Sequence, residues 1–356
     1  MTVTLLLPAR MDDCVARYSE LAELGALLHA TCYTDHHPTA HRVVAPWLSD
    51  IDATLLAQIR AWEPVWGPYK ARYMQPLTLA DEMAFDEEVE EIRRLPIESF
   101  VTFTMRAILE GARMNDDARA ADGSLGEELM ARASRLSPLR GALAARLQKD
   151  PDGARAELVS ILIRARRGNV MEREFARLSR ILRDSSHTMG RELRTRGFSA
   201  IAAVSPMATL ASDESRITFD KQAYDVIRAD HGLLLLPSEH LQPHIVLKGV
   251  PGHPAVLHYP PRNEDAVTFA IVVHRFKVLQ DPTRRRILRE LLRQPRPTLE
   301  LALELQMAEP QVSRHLRALR EAGLVDSDRE GRIVRYRAQR QALERLGSDF
   351  IEALIR

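Results

Sequence analysis

Residues 307–325 read MAEPQVSRHLRALREAGLV, and their spacing predicts a helix with two unlike faces. An apolar face recurs at i, i+4 and i+7, as in a helix that packs on a core. It consists of Val312, Leu316 and Leu319. The opposite side is polar and carries two arginines. This polar side, which we call the reading face, consists of Gln311, Ser313, Arg314 and Arg317.

Signals for two further helices precede this stretch. Asp281 is suited to cap a helix whose first residue is Pro282, because proline lacks the N–H that a first turn leaves unpaired. Thr298 is placed to cap a second helix, and a tight turn at 306–308 then leads into the third. The pattern predicts helix, helix, turn and helix in that order.

A basic hairpin is predicted to follow. Gly323 ends the third helix, 324–325 begin a strand, and 333–337 return after a turn at 328–332. Arg329 and Arg332 lie at the predicted tip. Together with the helices, the hairpin predicts a winged helix-turn-helix, a shape that enters a groove of DNA.

The residue types on this unit suggest how it would contact DNA. An arginine can donate two bonds to guanine and a glutamine can pair with adenine, so Arg314 and Gln311 are the candidates for base contacts. Ser313 suits a phosphate contact. Arginines of the wing suit the minor groove. The predicted DNA contacts are Gln311, Ser313, Arg314, Arg317, Arg329, Arg332 and Arg284.

Charge is distributed unevenly along the 356 residues. Residues 266–356 hold 18 Lys and Arg against 12 Asp and Glu, a net of +6, whereas residues 1–265 have a net of −5. Only the C-terminal part has the charge of a nucleic-acid binder. No apolar run could cross a bilayer and only two cysteines are present, so we expect a cytoplasmic protein without a membrane partner or a disulfide framework.

The predicted fold is mainly α with small β elements. Helical periodicity dominates residues 10–200, with candidate helices at 13–32, 48–62 and 79–94 among others. Short β-branched or apolar runs between 216 and 261 predict a small sheet. We therefore expect an α-rich domain at 1–265 and a DNA-binding domain with flanking dimerisation helices at 266–356.

An apolar stripe after the wing predicts a homodimer. With the apolar segment 267–278, it can bury a two-fold interface and place two recognition helices about 34 Å apart, one turn of DNA. The stripe consists of Leu343, Leu346, Phe350 and Leu354.

Candidate metal ligands cluster near the N-terminus. Cys32 with His36, and His37 with His41, are four residues apart and could share a helical face that binds zinc. Pro38 interrupts such a helix and no carboxylate completes the site, so we predict surface and structural histidines and no metal. His240 and His244 repeat the spacing, with Pro243 between them.

Motifs for catalysis are missing from the sequence. It contains no nucleophile elbow, phosphate loop or dinucleotide fingerprint, so we expect neither an enzyme nor a bound cofactor. The acidic run 87–91 is interpreted as a solvated helix face. Four aromatic residues could line a pocket for an apolar effector, although packing in a core is the commoner role. These are Trp62, Trp66, Tyr69 and Tyr73.

Residues 276–336 closely resemble the ArsR/SmtB family of bacterial winged-helix repressors. The matching stretches are 279–288 (LQDPTRRRIL), 312–316 (VSRHL) and 319–325 (LREAGLV). The resemblance implies a homodimer that binds an inverted-repeat operator and is released by an effector. The family's metal ligands are absent, because 300–304 contain no cysteine and 342–355 no His or Cys. Ala308 stands where the family often has a capping serine.

Residues 1–265 resemble the large, poorly characterised domain that precedes this winged helix in some actinobacterial and firmicute regulators. The similar stretches are 46–48, 235–238 and 258–260. The sequence thus predicts a dimeric repressor whose N-terminal domain sets the separation of the recognition helices and responds to an unknown effector. The alternatives are a metal-binding protein or enzyme merely tethered to DNA, and an N-terminal module that binds a protein partner.

Overall fold

The computed structural model divides into two compact units, Met1–Arg262 and Asn263–Arg356, which we call unit 1 and unit 2. It describes residues 2–33, 41–110, 126–205, 207–220, 225–242, 244–261, 269–330, 333–347 and 349–350. None of the helices described there is both long and apolar enough to span a membrane.

Unit 1 is built mainly from helices, most of which contribute to a large apolar core. They are α1 Glu20–Cys32, α2 His41–Asp50, α3 Ala53–Ala61, α4 Glu63–Trp66, α5 Phe85–Arg94, α6 Ile97–Ile108, α7 Glu127–Leu136, α8 Pro138–Lys149, α9 Pro151–Arg166, α10 Asn169–Arg196 and α11 Ser199–Ala202. Prolines begin α8 and α9, where Ser137 and Asp150 accept bonds from first-turn amides. The predicted helix at 48–62 is two helices, and the one at 79–94 begins only at Phe85.

Two four-stranded sheets complete unit 1. The first has the order β3-β4-β1-β5, from β1 Thr2–Leu6, β3 Ala208–Leu210, β4 Arg216–Asp220 and β5 Asp225–Arg228. The second has the order β2-β6-β8-β7, from β2 Cys14–Ala16, β6 Leu233–Pro237, β7 Val246–Lys248 and β8 Ala255–Tyr259. In the second sheet β2, β6 and β8 run parallel, and β7 pairs antiparallel with β8.

The N-terminal strands correct two expectations. The predicted helix at 13–32 begins only at Glu20, because Cys14–Ala16 pair with Leu233–Leu235 as a strand. Ser19 then caps the helix by accepting a bond from the Ala22 amide. Likewise Thr2–Leu6 lies between β4 and β5. The single small sheet expected within 216–261 is therefore two sheets, each completed by the N-terminus.

Unit 2 is a winged helix-turn-helix. Its elements are α12 Phe269–Leu279, α13 Pro282–Arg293, β9 Arg296–Pro297, α14 Thr298–Leu305, α15 Glu309–Glu321, β10 Val325–Glu330, β11 Ile333–Ala338 and α16 Arg340–Glu344. Its core joins leucines of α13, α14 and α15 with Leu324 and Val325 at the start of the wing. The predicted fold class, mainly α with small β elements and a C-terminal winged helix-turn-helix, is confirmed.

Candidate nucleic-acid interface

The first helix of the motif is fixed at its start by Asp281. This residue has extended backbone angles, and its carboxylate accepts bonds from the amides of Thr283 and Arg284 at 2.8 and 3.3 Å. Burial opposes ionisation of Asp281, but these bonds and the nearby His315 outweigh it and lower its pKa. His315 Nδ1 of α15 lies 3.6 Å from Asp281 Oδ2. The cap therefore also faces the third helix of the motif.

A tight turn joins α14 to α15. Gln306 adopts the left-handed conformation, with φ 55° and ψ 46°, and the amide of Met307 donates to the Ala302 carbonyl at 2.9 Å. Ala308 occupies the N-cap of α15 and offers no side-chain acceptor. At α14 the expected cap is wrong: Thr298 is the first helical residue, and Pro297 precedes it at the cap position.

The recognition helix α15 has the two faces that its sequence predicts. Its apolar residues are fully buried in the core of unit 2, while Gln311, Ser313, Arg314 and Arg317 are all exposed. Within the described part of the chain, no carboxylate pairs with Arg314 or Arg317 within 4.0 Å. Because the apolar side anchors the helix, the reading face is left open to solvent.

The wing consists of β10 and β11, extended by β9. Val325 pairs with Ala338 and Glu330 with Ile333 at its two ends, and Tyr336 is opposite Arg296 of β9. Arg329 is exposed near the tip. Arg332, the other predicted wing contact, lies outside the described residues.

Arg284 is engaged within unit 2. Its side chain is 25% exposed, its Nη1 donates to the Val278 carbonyl at 3.3 Å, and its Nε lies 3.7 Å from Asp281 Oδ2. These contacts hold the end of α12 against the start of α13. These contacts favour a structural role for Arg284 over the predicted contact with DNA.

A buried arginine joins elements of unit 2 that are distant in the sequence. Arg275 of α12 donates to the Ala322 carbonyl at the end of α15 and lies 3.2 Å from Asp349 Oδ2. Asp349 is 4% exposed and also pairs with Arg345. The one sequence signal for the burial of Arg275 is its position among the apolar residues of the 267–278 segment. The contact ties the recognition helix to the flanking helices.

The predicted dimer stripe falls on a broken helix. Helix α16 ends at Glu344, with Arg345 as its cap, so the stripe is not carried by one regular helix. Leu343 packs against the core of unit 2, and Leu346 is partly buried. The Phe350 ring makes an edge contact with Phe276 of α12, with 5.2 Å between their centroids. Leu354 lies outside the described residues.

Of the candidate metal ligands Cys32, His36, His37 and His41, only Cys32 has a described side chain. Cys32 is partly buried at the end of α1, and burial raises the pKa of its thiol to about 11, which disfavours the thiolate that a metal needs. His36 and His37 lie outside the described residues, as does the side chain of His41.

His240 is part of a buried ion-pair network. It is 2% exposed; its Nδ1 lies 2.7 Å from Glu23 Oε1 and its Nε2 3.4 Å from Glu174 Oε1. Burial alone would lower the pKa of His240, but the two carboxylates outweigh it and raise the pKa to about 9. Arg177 lies 2.7 Å from Glu239, which adjoins His240. The network supports a structural role for this histidine.

Part of the acidic run 87–91 and three of the four candidate aromatic residues of unit 1 are buried. Glu88 of the acidic run is 4% exposed and accepts a bond from the Leu21 amide at 2.8 Å, so the run is not wholly a solvated face. Burial raises its pKa to about 7. Among the aromatics, Trp62, Trp66 and Tyr73 are buried in the core, which favours the packing interpretation, and Tyr69 is 46% exposed.

Comparisons with known proteins match the two parts of the chain separately. The model of a family of unknown function (DUF5937) matches residues 1–265, and that of the bacterial regulatory proteins of the arsR family matches residues 281–327. An uncharacterized HTH-type transcriptional regulator of Methanocaldococcus jannaschii is 46% identical over 57 residues, which are 16% of this chain. The chain spans 60% of the length of that relative.

Three solved structures are similar to a limited part of the chain. An ArsR-like transcriptional regulator from Rhodococcus is 35% identical, covering 24% of this chain and 86% of its own, with a TM-score of 0.20. Reduced HlyU from Vibrio cholerae is 28% identical, with coverages of 22% and 84% and a TM-score of 0.20. A homodimeric winged helix-turn-helix DNA-binding domain from Mycobacterium bovis is 26% identical, with coverages of 26% and 86% and a TM-score of 0.22.

Proposed function

Because this chain belongs to the family of unknown function (DUF5937) and carries an arsR-family domain, we propose that it is a sequence-specific DNA-binding transcriptional regulator, acting as a dimeric repressor. The observation that carries the proposal is the open reading face of α15. Its two arginines are exposed and unpaired among the described residues, on a helix whose other face is anchored in a core. The same family matches favour a regulator, and we propose no catalytic activity.

The residues of the reading face suit different kinds of contact with DNA. Arg314 and Gln311 lie in the N-terminal half of α15, the part that meets base edges when such a helix enters the major groove. Ser313 and Arg317 are suited to the phosphates that fix its register. Arg329 of the wing, and Arg332 beyond it, would follow the backbone or the minor groove, where the negative potential attracts arginine.

A dimer is supported by the apolar residues of α12. Ile271 and Phe276 are 41% and 38% exposed, and Phe276 contacts Phe350 of the C-terminal segment. Two copies of this face can bury one another around a two-fold axis, which matches an inverted-repeat operator. Leu346 and Leu354 remain predicted members of this interface.

We propose that unit 1 senses an effector. An effector can release the operator only by binding more tightly to a form whose two recognition helices no longer fit successive major grooves. Inside unit 2, the Arg275 contact with Ala322 and Asp349 is a route by which movement of the flanking helices would reach α15.

The test is binding to the protein's own promoter region as a function of salt, measured by fluorescence anisotropy. We expect sequence-selective binding that falls steeply with salt. Arg314→Ala should lose about 1–3 kcal/mol of binding free energy and relax the preference at one base pair. The control is Arg289→Ala, since Arg289 is exposed on α13 and away from the reading face. Equal binding by both variants, with no preference for sequence, would contradict the proposal.

A further inference from the structure

A loop and a hairpin of unit 1 face one another. The loop, residues 67–77, follows α4, and the hairpin, residues 246–259, contains β7 and β8. Lys248 Nζ donates to the Pro68 carbonyl at 2.5 Å, and Arg72 Nη2 donates to the Pro254 carbonyl at 3.1 Å. The side-chain amide nitrogen of Gln75, Nε2, lies 2.8 Å from His258 Nε2. We call the surface where the two segments meet the basic cleft.

The two segments of the basic cleft contribute three cationic side chains and no carboxylate of their own. Neither segment contains an Asp or a Glu, while together they contain Lys70, Arg72 and Lys248. Arg72 is 3% exposed and donates only to backbone carbonyls. In the described part of the chain, no carboxylate pairs with Arg72 or Lys70 within 4.0 Å. Burying positive charge without a counter-charge is costly, so the cleft is electrostatically incomplete.

The floor of the cleft also holds donors that lack an acceptor. His258 is 1% exposed, and its Nδ1 has no hydrogen-bond partner among the described residues, nor has the buried Nε of Arg72. Since an amide nitrogen is only a donor, Gln75 donates to His258 Nε2, and the ring proton resides on Nδ1. Lys70 Nζ uses one of its three donors, on the Trp66 carbonyl at 3.2 Å.

Electrostatics and exposure agree with this geometry. Burial and the charges of Lys70, Lys248 and Arg72 lower the pKa of His258 to about 3. Burial and Lys248 lower the pKa of Lys70 to about 7, although Glu23, which is engaged by His240, acts in the opposite direction. Tyr69 is 46% exposed and lies under the Lys248 ammonium, with 4.8 Å from Nζ to the ring centroid, so this end of the cleft reaches the protein surface.

We infer that the basic cleft binds a small molecule through its carboxylate or phosphate oxygens. Lys70 and Lys248 meet the anion at the rim, and His258 Nδ1 and Arg72 Nε supply the missing donors at the floor. Anionic oxygens suit all four groups, because each presents an N–H and the anion has only acceptors. The site depends on the proposed function only where the anion is taken to be the effector.

Isothermal titration calorimetry of the full-length protein without DNA tests the site. Inorganic phosphate and citrate serve as separate probes at constant ionic strength, so that the two sources of anionic oxygen are distinguished. We expect at least one probe to bind, with affinity reduced about tenfold or more in Lys70→Met and in Lys248→Met. Lys149→Met, on the exposed end of α8, should bind as the wild type does. Circular dichroism verifies that each variant is folded.

Two results would overturn the site: binding of neither probe, or equal binding by both cleft variants and the wild type. A second measurement adds the bound probe to the complex with promoter DNA. Release from DNA supports the effector role, and unchanged DNA binding contradicts that role while the calorimetric site stands. Loss of the proposed DNA-binding function would be seen separately, since the calorimetric experiment contains no DNA.

Discussion

Asp281 shows how a single residue can hold two helices of the motif in place. Its carboxylate caps α13 and lies beside His315 of α15. Asp281→Ala should therefore reduce the stability of unit 2 by about 1–2 kcal/mol, because two first-turn amides lose their acceptor. Hydrogen exchange of peptides from α13 and α15 measures this. Asp281→Asn keeps a capping oxygen and is the control; if it is as unstable as the alanine variant, the cap is not the cause.

His240 should give unit 1 a pH-dependent stability. Its pKa is raised to about 9 in the folded chain, above its ordinary value, so the stabilisation is fully present below about pH 6.5 and is lost as the pH rises through 9. His240→Gln should cost about 3 kcal/mol at pH 6, and less as the pH rises. Denaturant unfolding followed by hydrogen exchange in unit 1 measures the difference.

The matched control for that prediction is His187→Gln. His187 lies on the exposed side of α10 and makes no ion pair in the described part of the chain. We expect it to leave the stability of unit 1 within about 0.5 kcal/mol of the wild type. A constant deficit of His240→Gln across pH 6–9 would show that packing, and not charge, is what the histidine supplies.

The recognition helix α15 lacks a side-chain cap at its start. Ala308 has the extended backbone angles of an N-cap residue, φ −68° and ψ 136°. Ala308→Ser should stabilise α15 by about 1 kcal/mol, because the hydroxyl oxygen can accept a hydrogen bond from an otherwise unpaired first-turn amide. Ala318→Ser makes the same change inside the helix and should destabilise it by a few tenths. Thermal unfolding of both variants tests this, and a loss of stability in Ala308→Ser would contradict it.

The proposed dimer can be tested with two equally exposed side chains. Phe276 on α12 and Leu292 on α13 are each 38% exposed. Phe276→Arg should weaken the dimer and operator binding with it, because a charge would be buried in an apolar interface. Leu292→Arg should leave both unchanged. Analytical ultracentrifugation reports the mass. A dimer that survives Phe276→Arg would place the interface elsewhere.

The winged helix-turn-helix and its reading face follow from local patterns of residues. Helix periodicity, the Asp281–Pro282 start and the turn at 328–332 in the wing are local patterns, so each acts within a few residues of where it is seen. Arg314 and Arg317 are exposed as expected, because the spacing of the apolar residues determines which face of α15 is buried and so which face is left to solvent. The helices of unit 1 were also predicted in outline, with ends shifted where a cap or a proline lay elsewhere.

Features that depend on partners far away in the chain could not be predicted from the sequence. Cys14–Ala16 is a strand because Leu233–Leu235 supplies its hydrogen bonds from more than 200 residues away, which overrides local helical periodicity. In the same way, the buried Glu88 accepts a bond from α1, the buried Arg275 donates to the end of α15, and the buried His258 bonds with Gln75 of the loop 67–77. The sequence does not show whether a charged side chain will be buried, because its burial depends on donors and acceptors supplied by other segments.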